Sequence, residues 1–152
     1  MIGEIPKDIY QKIHFSVPIA CIDVVIVKNN KILLCKRTNK PAQGEFWLPG
    51  GRVYKGETLA EAVSRKTLQE TDLQTQKIKK IGIDETMFED GPFGSSTHTI
   101  NVIYLVTTKK GEVINDLQHD EYLWADLKTK NLHPYVRKYM KIVLNNLYGK
   151  IS

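Results

Sequence analysis

The sequence predicts an α/β protein: a mixed β-sheet sandwiched between α-helices. Three observations lead there. Apolar runs of strand length recur along the chain, an amphipathic stretch with helix-end signals interrupts them, and a second such stretch closes the chain. The 152 residues make about one ordinary domain, long enough to bury a core without staples. A single domain over 1–152 is therefore expected, and no internal repeat or low-complexity linker divides it.

The elements follow in order. Residues 4–15 (EIPKDIYQKIHF) form a short helix or an N-terminal arm, with Pro6 suited to a first turn and Ile9 and Ile13 on one face. Residues 17–27 (VPIACIDVVIV) read as a buried strand, Asn29-Asn30 as a turn, and 31–37 (KILLCKR) as the returning strand. In a symmetric hairpin, paired positions sum to 59. Cys35 then opposes Val24, and Cys21 lies on the other face, which disfavours a disulfide. Buried, inert thiols are expected. After a loop at 38–45, a short strand at 46–48 ends at Pro49-Gly50-Gly51.

A helix comes next, with Thr58 as its cap and Glu61 reaching back to complete a capping box. Leu59, Ala62 and Val63 form its apolar stripe, and Asp72 ends it. Strands are expected near 76–84 and 97–107, joined by a Gly-rich loop (EDGPFGSS), and a last strand at 121–124 (EYLW). Pro134 opens a C-terminal helix with Val136, Met140, Val143, Leu144 and Leu147 at helical spacing, closed by Gly149.

A net charge of +5 suits either nucleic acid or an anionic small molecule. Nucleic acid is disfavoured, because no basic helix or aromatic RNA-reading motif accompanies the charge. There is no signal-peptide pattern and no apolar run of membrane-spanning length, so a cytoplasmic location is expected.

The chemistry concentrates in 50–71, GGRVYKGETLAEAVSRKTLQET. Gly50 and Gly51 let the backbone approach a ligand and expose a carbonyl. Glu57 precedes the helix, Glu61 and Arg65 are spaced to pair on one face, and Glu70 lies near the helix end. A carboxylate and a free carbonyl supply hard oxygen ligands, which suit Mg²⁺. Arg37, Arg52 and Arg65 supply guanidinium forks for phosphate oxygens. The competing reading of the same residues is a capped surface helix laced with salt bridges.

The spacing of Gly51, Glu57, Arg65 and Glu70 resembles the Nudix hydrolase signature, and with it the Nudix fold. That signature ordinarily ends Arg-Glu-x-x-Glu-Glu and continues to a Gly. Here the run is Arg65-Lys66-Thr67-Leu68-Gln69-Glu70, with Asp72 in the Gly position. Two carboxylates that bind metal and help activate water in most members are absent. The GDP-mannose mannosyl hydrolase branch is similar in this respect; it displaces GDP from the sugar carbon instead of cleaving the pyrophosphate. KRTNKPAQGEFWLPGGRV (36–53), Asp23 inside CIDVVIV, and LQHDEYLW (117–124) carry the same resemblance, which spans about 8–126.

The resemblance implies a GDP-sugar substrate (GDP-mannose or GDP-glucose) and Mg²⁺, or Mn²⁺ in its place, held by the Gly50 carbonyl, Glu70 and Gln118. It implies His119 as general base, and Arg37, Arg52 and Arg65 against the leaving GDP. Asp23 would contact the sugar, and Tyr10 would meet guanine from the arm at 1–15, across a homodimer. The chain departs from the branch at 85–97, which looks shorter, and Thr86 and Thr99 stand where His and Tyr are expected.

Simpler roles compete for several residues. Asp23 also pairs with Lys36 in the hairpin register, although an acid in an apolar strand favours a site. His119 also reads as a plain surface histidine, His98 as a support of the sheet, and Trp47 and Trp124 as core; His14 and His133 carry no signal. Two other functions stay open: an ordinary Nudix phosphoanhydride hydrolase, and a non-catalytic nucleotide-sensing or RNA-binding Nudix domain.

Overall fold

The computed structural model describes residues 3–111 and 121–147. Its elements are α1 (Lys7–Ser16), β1 (Ile19–Lys28), β2 (Lys31–Lys36), β3 (Phe46–Trp47), β4 (Gly50–Arg52), α2 (Leu59–Thr71), β5 (Thr75–Phe88), β6 (Thr97–Thr108), β7 (Tyr122–Ala125) and α3 (Pro134–Lys141). A short π-helix, Ile142–Leu147, continues α3. The strands form one mixed sheet in the order β3-β2-β1-β6-β5, with β4 on β1 and β7 on β2. β1 and β6 run parallel from Ile19↔Thr99 to Ile26↔Val106, and the other pairs are antiparallel.

β1 is apolar on both faces because both faces are covered. Ile22, Val24 and Ile26 pack with Ala62 and Val63 of α2. Val25 and Val27 pack with Val136 and Met140 of α3. The strand alternation thus sends even positions to α2 and odd positions to α3. Each fully buried aliphatic side chain contributes about 1.5–3 kcal/mol. Asp23, at an odd position, faces α3.

The hairpin turns on Asn29 and Asn30, both left-handed at φ 51° and 60°, as a two-residue turn of this kind requires. Val27↔Ile32 and Lys28↔Lys31 keep the expected register. The pairing then stops. Val24 donates its N–H to the Pro49 carbonyl at 2.8 Å, and β4 takes the place beside Cys21–Asp23. β2 turns away to β3 and β7, so Cys35 lies opposite Trp47 and Tyr122 instead of Val24. Lys36 lies 3.6 Å from Glu121 and not beside Asp23. Both cysteines are free thiols.

α2 begins as expected. The Thr58 hydroxyl accepts from the Glu61 N–H, and the Glu61 carboxylate accepts from the Thr58 N–H at 2.7 Å. That use of Glu61 overturns its expected pairing with Arg65, which turns to Glu57 instead. Ala62 and Val63 are buried with Thr67, Glu70 and Thr71, whereas Leu59 is 37% exposed at the first turn. Asp72 closes the helix in the left-handed conformation.

Other boundaries shift modestly. Pro6 caps α1 from outside the helix, and Ile9 is exposed; the inward side chains are Tyr10 and His14. β5 extends to Phe88, past the expected end, because its ladder with β6 continues to Phe88↔Thr97. His133 caps α3, accepting from the Tyr135 N–H at 3.1 Å. Val136, Met140 and Val143 are buried there as expected, joined by Tyr135 and Tyr139. Gly149 lies outside the described residues. Among the described residues no helix is long and apolar enough to cross a membrane.

The capping box gives a direct test of this local reading. Thr58→Ala should destabilise the protein by about 1 kcal/mol, measured by urea unfolding, because one helix-end N–H loses its acceptor.

Candidate active site

The site begins where β4 meets β1. The residues flanking β4 bond to β1: Val24 N–H reaches the Pro49 carbonyl at 2.8 Å, and Val53 N–H reaches the Ala20 carbonyl at 2.9 Å. Gly50, opposite Asp23, therefore turns its N–H and C=O away from β1. A Cβ at Gly50 would meet the Ile22 carbonyl and come within 2.6 Å of Asp23 Oδ1. Only glycine permits this approach. The Gly50 N–H donates to Glu70 Oε2 at 3.2 Å, which ties β4 to the end of α2.

Glu70 is a buried carboxylate, 5% exposed. Its Oε1 lies 2.7 Å from the Lys66 ammonium one helical turn back. Lys66 is itself nearly enclosed, with its stem along Gly51: a Cβ there would come within 2.9 Å of Lys66 Cε. Tyr122 donates to the Glu70 main-chain carbonyl at 2.5 Å, anchoring the helix end to β7.

Arg65 is held by groups on α2 and the β4 turn. Its Nε lies 2.5 Å from Glu57 Oε1, and Nη2 donates to Glu57 Oε2 at 2.9 Å and to the Arg52 carbonyl at 3.0 Å. Nη1 donates to Gln69 Oε1 at 3.2 Å, and the guanidinium lies 3.7 Å from the centre of the Tyr54 ring. This bidentate pair holds the Glu57 carboxyl below its usual range, chiefly through the Arg65 hydrogen bonds. Arg65 is thus a brace between α2 and the β4 turn. It is not among the residues lining the pocket described next.

A cavity of about 300 Å³ opens over this floor. It brings together Asp23, Arg37, Gly50, Arg52, Glu70 and Tyr10. Trp47 and Leu48 give it an apolar wall; Thr86, Thr99 and Asn101 give it a polar one. The Thr86 and Thr99 hydroxyls bond to each other at 2.5 Å across β5 and β6.

Asp23 accepts from the Tyr135 hydroxyl at 2.5 Å. Burial pushes its carboxyl up to about 7, against the opposing pull of Tyr135 and Arg37. Burial also lowers Arg37, with Asp23 and Glu70 pulling it back; its Nε donates to the Pro41 carbonyl at 2.6 Å. Burial pushes the Cys21 thiol up to about 12, in keeping with an inert group.

The mouth is aromatic. Tyr10 and His14, one turn apart on α1, meet edge to face at 4.5 Å, and Phe93 packs against both. His14 Nδ1 bonds the Thr97 hydroxyl at 3.1 Å, which docks α1 on β6. Arg52 donates to the Gly3 carbonyl and lies 5.5 Å from the Tyr10 ring and 4.8 Å from the Tyr54 ring. Tyr10 accordingly lines the pocket of its own chain.

A helix end, a glycine turn and a charged cleft meet beside the central strand of a mixed sheet in this α/β domain. The chain belongs to the NUDIX domain family, which it matches over residues 18–143. It is 31% identical to the low-salt glycan biosynthesis protein Agl8 of Haloferax volcanii over 138 residues, 90% of this chain and 88% of that one. It is 40% identical to an ADP-ribose pyrophosphatase of Methanocaldococcus jannaschii over 96 residues, 63% of this chain and 54% of that one. A crystal structure of a MutT NUDIX hydrolase from Burkholderia pseudomallei superposes with a TM-score of 0.70 at 25% identity, over 83% of this chain and 98% of that one.

Nudix hydrolases generally use divalent metal ions such as Mg²⁺. The donors near Glu70 are of the right kind: a buried carboxylate and a Gly50 carbonyl turned away from the sheet. The Lys66 ammonium faces Oε1 of that carboxylate. Among the described residues no group of three or more His, Cys, Asp or Glu is placed to hold a metal. Gln118 and His119, the other expected ligand and the expected base, lie outside the described residues.

Two contributors escaped the sequence reading. Tyr135 looks like one more apolar position on α3, and its partner Asp23 is 112 residues away. His14 had a signal in hindsight, its spacing one turn from Tyr10. The other described histidines have structural roles: His133 caps α3 and His98 lies 2.8 Å from Glu85.

The raised Asp23 makes a signed prediction. The folded protein keeps this proton up to about pH 7, while the unfolded chain releases it near ~4. Between those values the folded state binds more protons, so stability should fall as pH rises and level off above 7. In metal-free buffer containing a chelator, the stability advantage of Asp23→Asn over the natural protein should grow across that window. A difference that stays constant with pH would show that Asp23 titrates as an ordinary carboxyl.

Proposed function

We propose that this protein hydrolyses a GDP-hexose, such as GDP-mannose or GDP-glucose, to GDP and free sugar by attack of water at the anomeric carbon. The carrying observation is the charged face of α2. Where most Nudix hydrolases add carboxylates beside Glu70, this chain has Lys66, bonded to Glu70, and Gln69, bonded to Arg65. A carboxylate paired with an ammonium, with no second acid at 66 or 69, is poorly equipped to make hydroxide at phosphorus. Attack at carbon needs a base, a stabilised leaving group and an oriented sugar.

The chain's residues suit those tasks. Asp23, held by Tyr135 on the pocket floor, offers an oxygen to a sugar hydroxyl. Arg37 and Arg52 line the same cavity and neutralise the diphosphate, while Arg65 keeps the Arg52 turn in place. Tyr10 at the mouth offers a ring to the base. Glu70 and the Gly50 carbonyl, with Gln118, would hold Mg²⁺ or Mn²⁺. Such a cation supplies Lewis-acid neutralisation of the leaving diphosphate.

His119 is the proposed general base, on the resemblance of 117–124. Its imidazole takes a proton from water as the water oxygen bonds to C1, and the C1–O bond breaks with its electron pair going to GDP. The likeness to Agl8, a protein named for glycan biosynthesis, supports a sugar-bearing substrate. A homodimer belongs to the proposal too. Ile83 and Met87 of β5 and Ile100 of β6 share one sheet face and are exposed, a surface suited to a second copy.

One specific observation favours a second reading, phosphoanhydride hydrolysis: the 40% identity to an ADP-ribose pyrophosphatase. Labelled water separates the two. Hydrolysis of a GDP-hexose in ¹⁸O water should place the label on the free sugar, with the anomer first formed opposite to that of the substrate. Label on phosphorus, with GMP and a sugar phosphate as products, would return the protein to the phosphoanhydride class.

His119→Gln should lower kcat by about 10²–10⁴-fold with Mg²⁺ binding nearly intact. A kcat close to that of the natural protein would remove His119 from the mechanism.

A further inference from the structure

The Lys66–Glu70 pair has a geometry that an ordinary surface pair lacks. Exposed pairs one turn apart keep their charged ends in water. Here the side chains are 13% and 6% exposed, the N···O distance is 2.7 Å, and the second carboxylate oxygen accepts from Gly50. The ammonium therefore stands on the oxygen that a divalent cation at this site would use. It also stands beside Gly51, which lines the pocket: a Cβ at Gly51 would come within 3.3 Å of Lys66 Nζ.

We propose that Lys66 is a built-in counter-cation for Glu70, and that a divalent ion loads this site by displacing the Lys66 ammonium towards the Gly51 side of the pocket, where it becomes a ligand for the substrate's phosphates. A buried carboxylate must keep a positive partner. The helix supplies one at the position where the family usually supplies another acid. The ammonium sits on a four-carbon stem with rotatable bonds, so it can change partners without moving the helix backbone. Metal and phosphate then act in one direction. A cation on Glu70 releases Lys66 for phosphate, and a diphosphate that draws Lys66 away opens Glu70 to the cation. By linkage each tightens the binding of the other. This inference rests on the proposed metal site at Glu70 and Gly50, but not on which bond the protein breaks.

The tests use no substrate, so their failure is distinct from that of the proposed reaction. Mn²⁺ binding is measured by electron paramagnetic resonance for the natural protein, Lys66→Met and Lys66→Met/Glu70→Gln. Lys66→Met should bind Mn²⁺ at least about tenfold more tightly, the step of ~1.4 kcal/mol that corresponds to one decade. The double variant should lose that gain. Circular dichroism establishes that each variant is folded. Unchanged or weaker Mn²⁺ binding by a folded Lys66→Met overturns the proposal, as does a gain that survives Glu70→Gln.

A second measurement needs no variant. Acetylation of Lys66 in the natural protein, followed by mass spectrometry, should accelerate as Mg²⁺ is raised, because displacement frees the enclosed amine. Exposed Lys128 gives the reference rate. Lys66 acetylation that stays flat relative to Lys128 across the Mg²⁺ range overturns the proposal independently of any folding defect.

Discussion

The close approach of Gly50 to β1 is the constraint on which the site depends. No side chain fits there: the space a Cβ would take belongs to the Ile22 carbonyl and Asp23 Oδ1. Because β4 lies this near, it displaces β2 from the upper half of β1, and the hairpin opens after two residue pairs. The opened hairpin leaves a cleft, with Trp47 and Leu48 on one side and Thr99 and Asn101 of β6 on the other. The Gly50 N–H bond to Glu70 then sets the end of α2 over the same cleft. A larger residue at position 50 would disturb the sheet, the cleft and the carboxylate together.

Charge in the site is arranged in two layers. Asp23 and Glu70 are buried acids, and each has a hydrogen-bond or ionic partner, buried Tyr135 for one and half-buried Lys66 for the other. Arg37 lies between them electrostatically, lowered by its own burial and supported by both acids. Nearer the solvent, Arg52 sits among aromatic rings instead of acids. A guanidinium on a ring face keeps more of its charge available to an incoming anion than one committed to a carboxylate. Arg65 shows the opposite case. Its donors go to Glu57, Gln69 and the Arg52 carbonyl, and it contributes rigidity to the turn that carries Arg52.

Much of the architecture was legible in the chain because it rests on local rules. Apolar runs of strand length mixed with two helical stretches signalled a sheet between helices, and the buried strand β1 divides its side chains between α2 and α3. Thr58 and Glu61 announced the start of α2, and Asp72 its end, since caps are made by residues within one turn. The glycines at 50 and 51, with Glu57, Arg65 and Glu70, marked the family. The position of β4 was harder to read: three residues carry little pattern, and hairpin geometry taken alone lets β2 run the full length of β1.

The sequence by itself determined the mixed sheet between helices, the family, and the absence of the customary carboxylates at positions 66 and 69. Each is a matter of residue identity and spacing along the chain. Only the tertiary structure decided the partners. Arg65 had Glu61 one turn back, and the capping box took Glu61 and left Arg65 to Glu57. Asp23 had Lys36 across an ideal hairpin; the inserted β4 put Gly50 opposite it instead, and α3 supplied Tyr135. Lys66 is one more surface cation when read along the helix, and becomes the half-buried partner of Glu70 only when β4 closes over it. The physical reason is the same throughout. Short-range rules act between neighbours in the chain, whereas the pairing of a buried charge depends on which groups folding encloses with it.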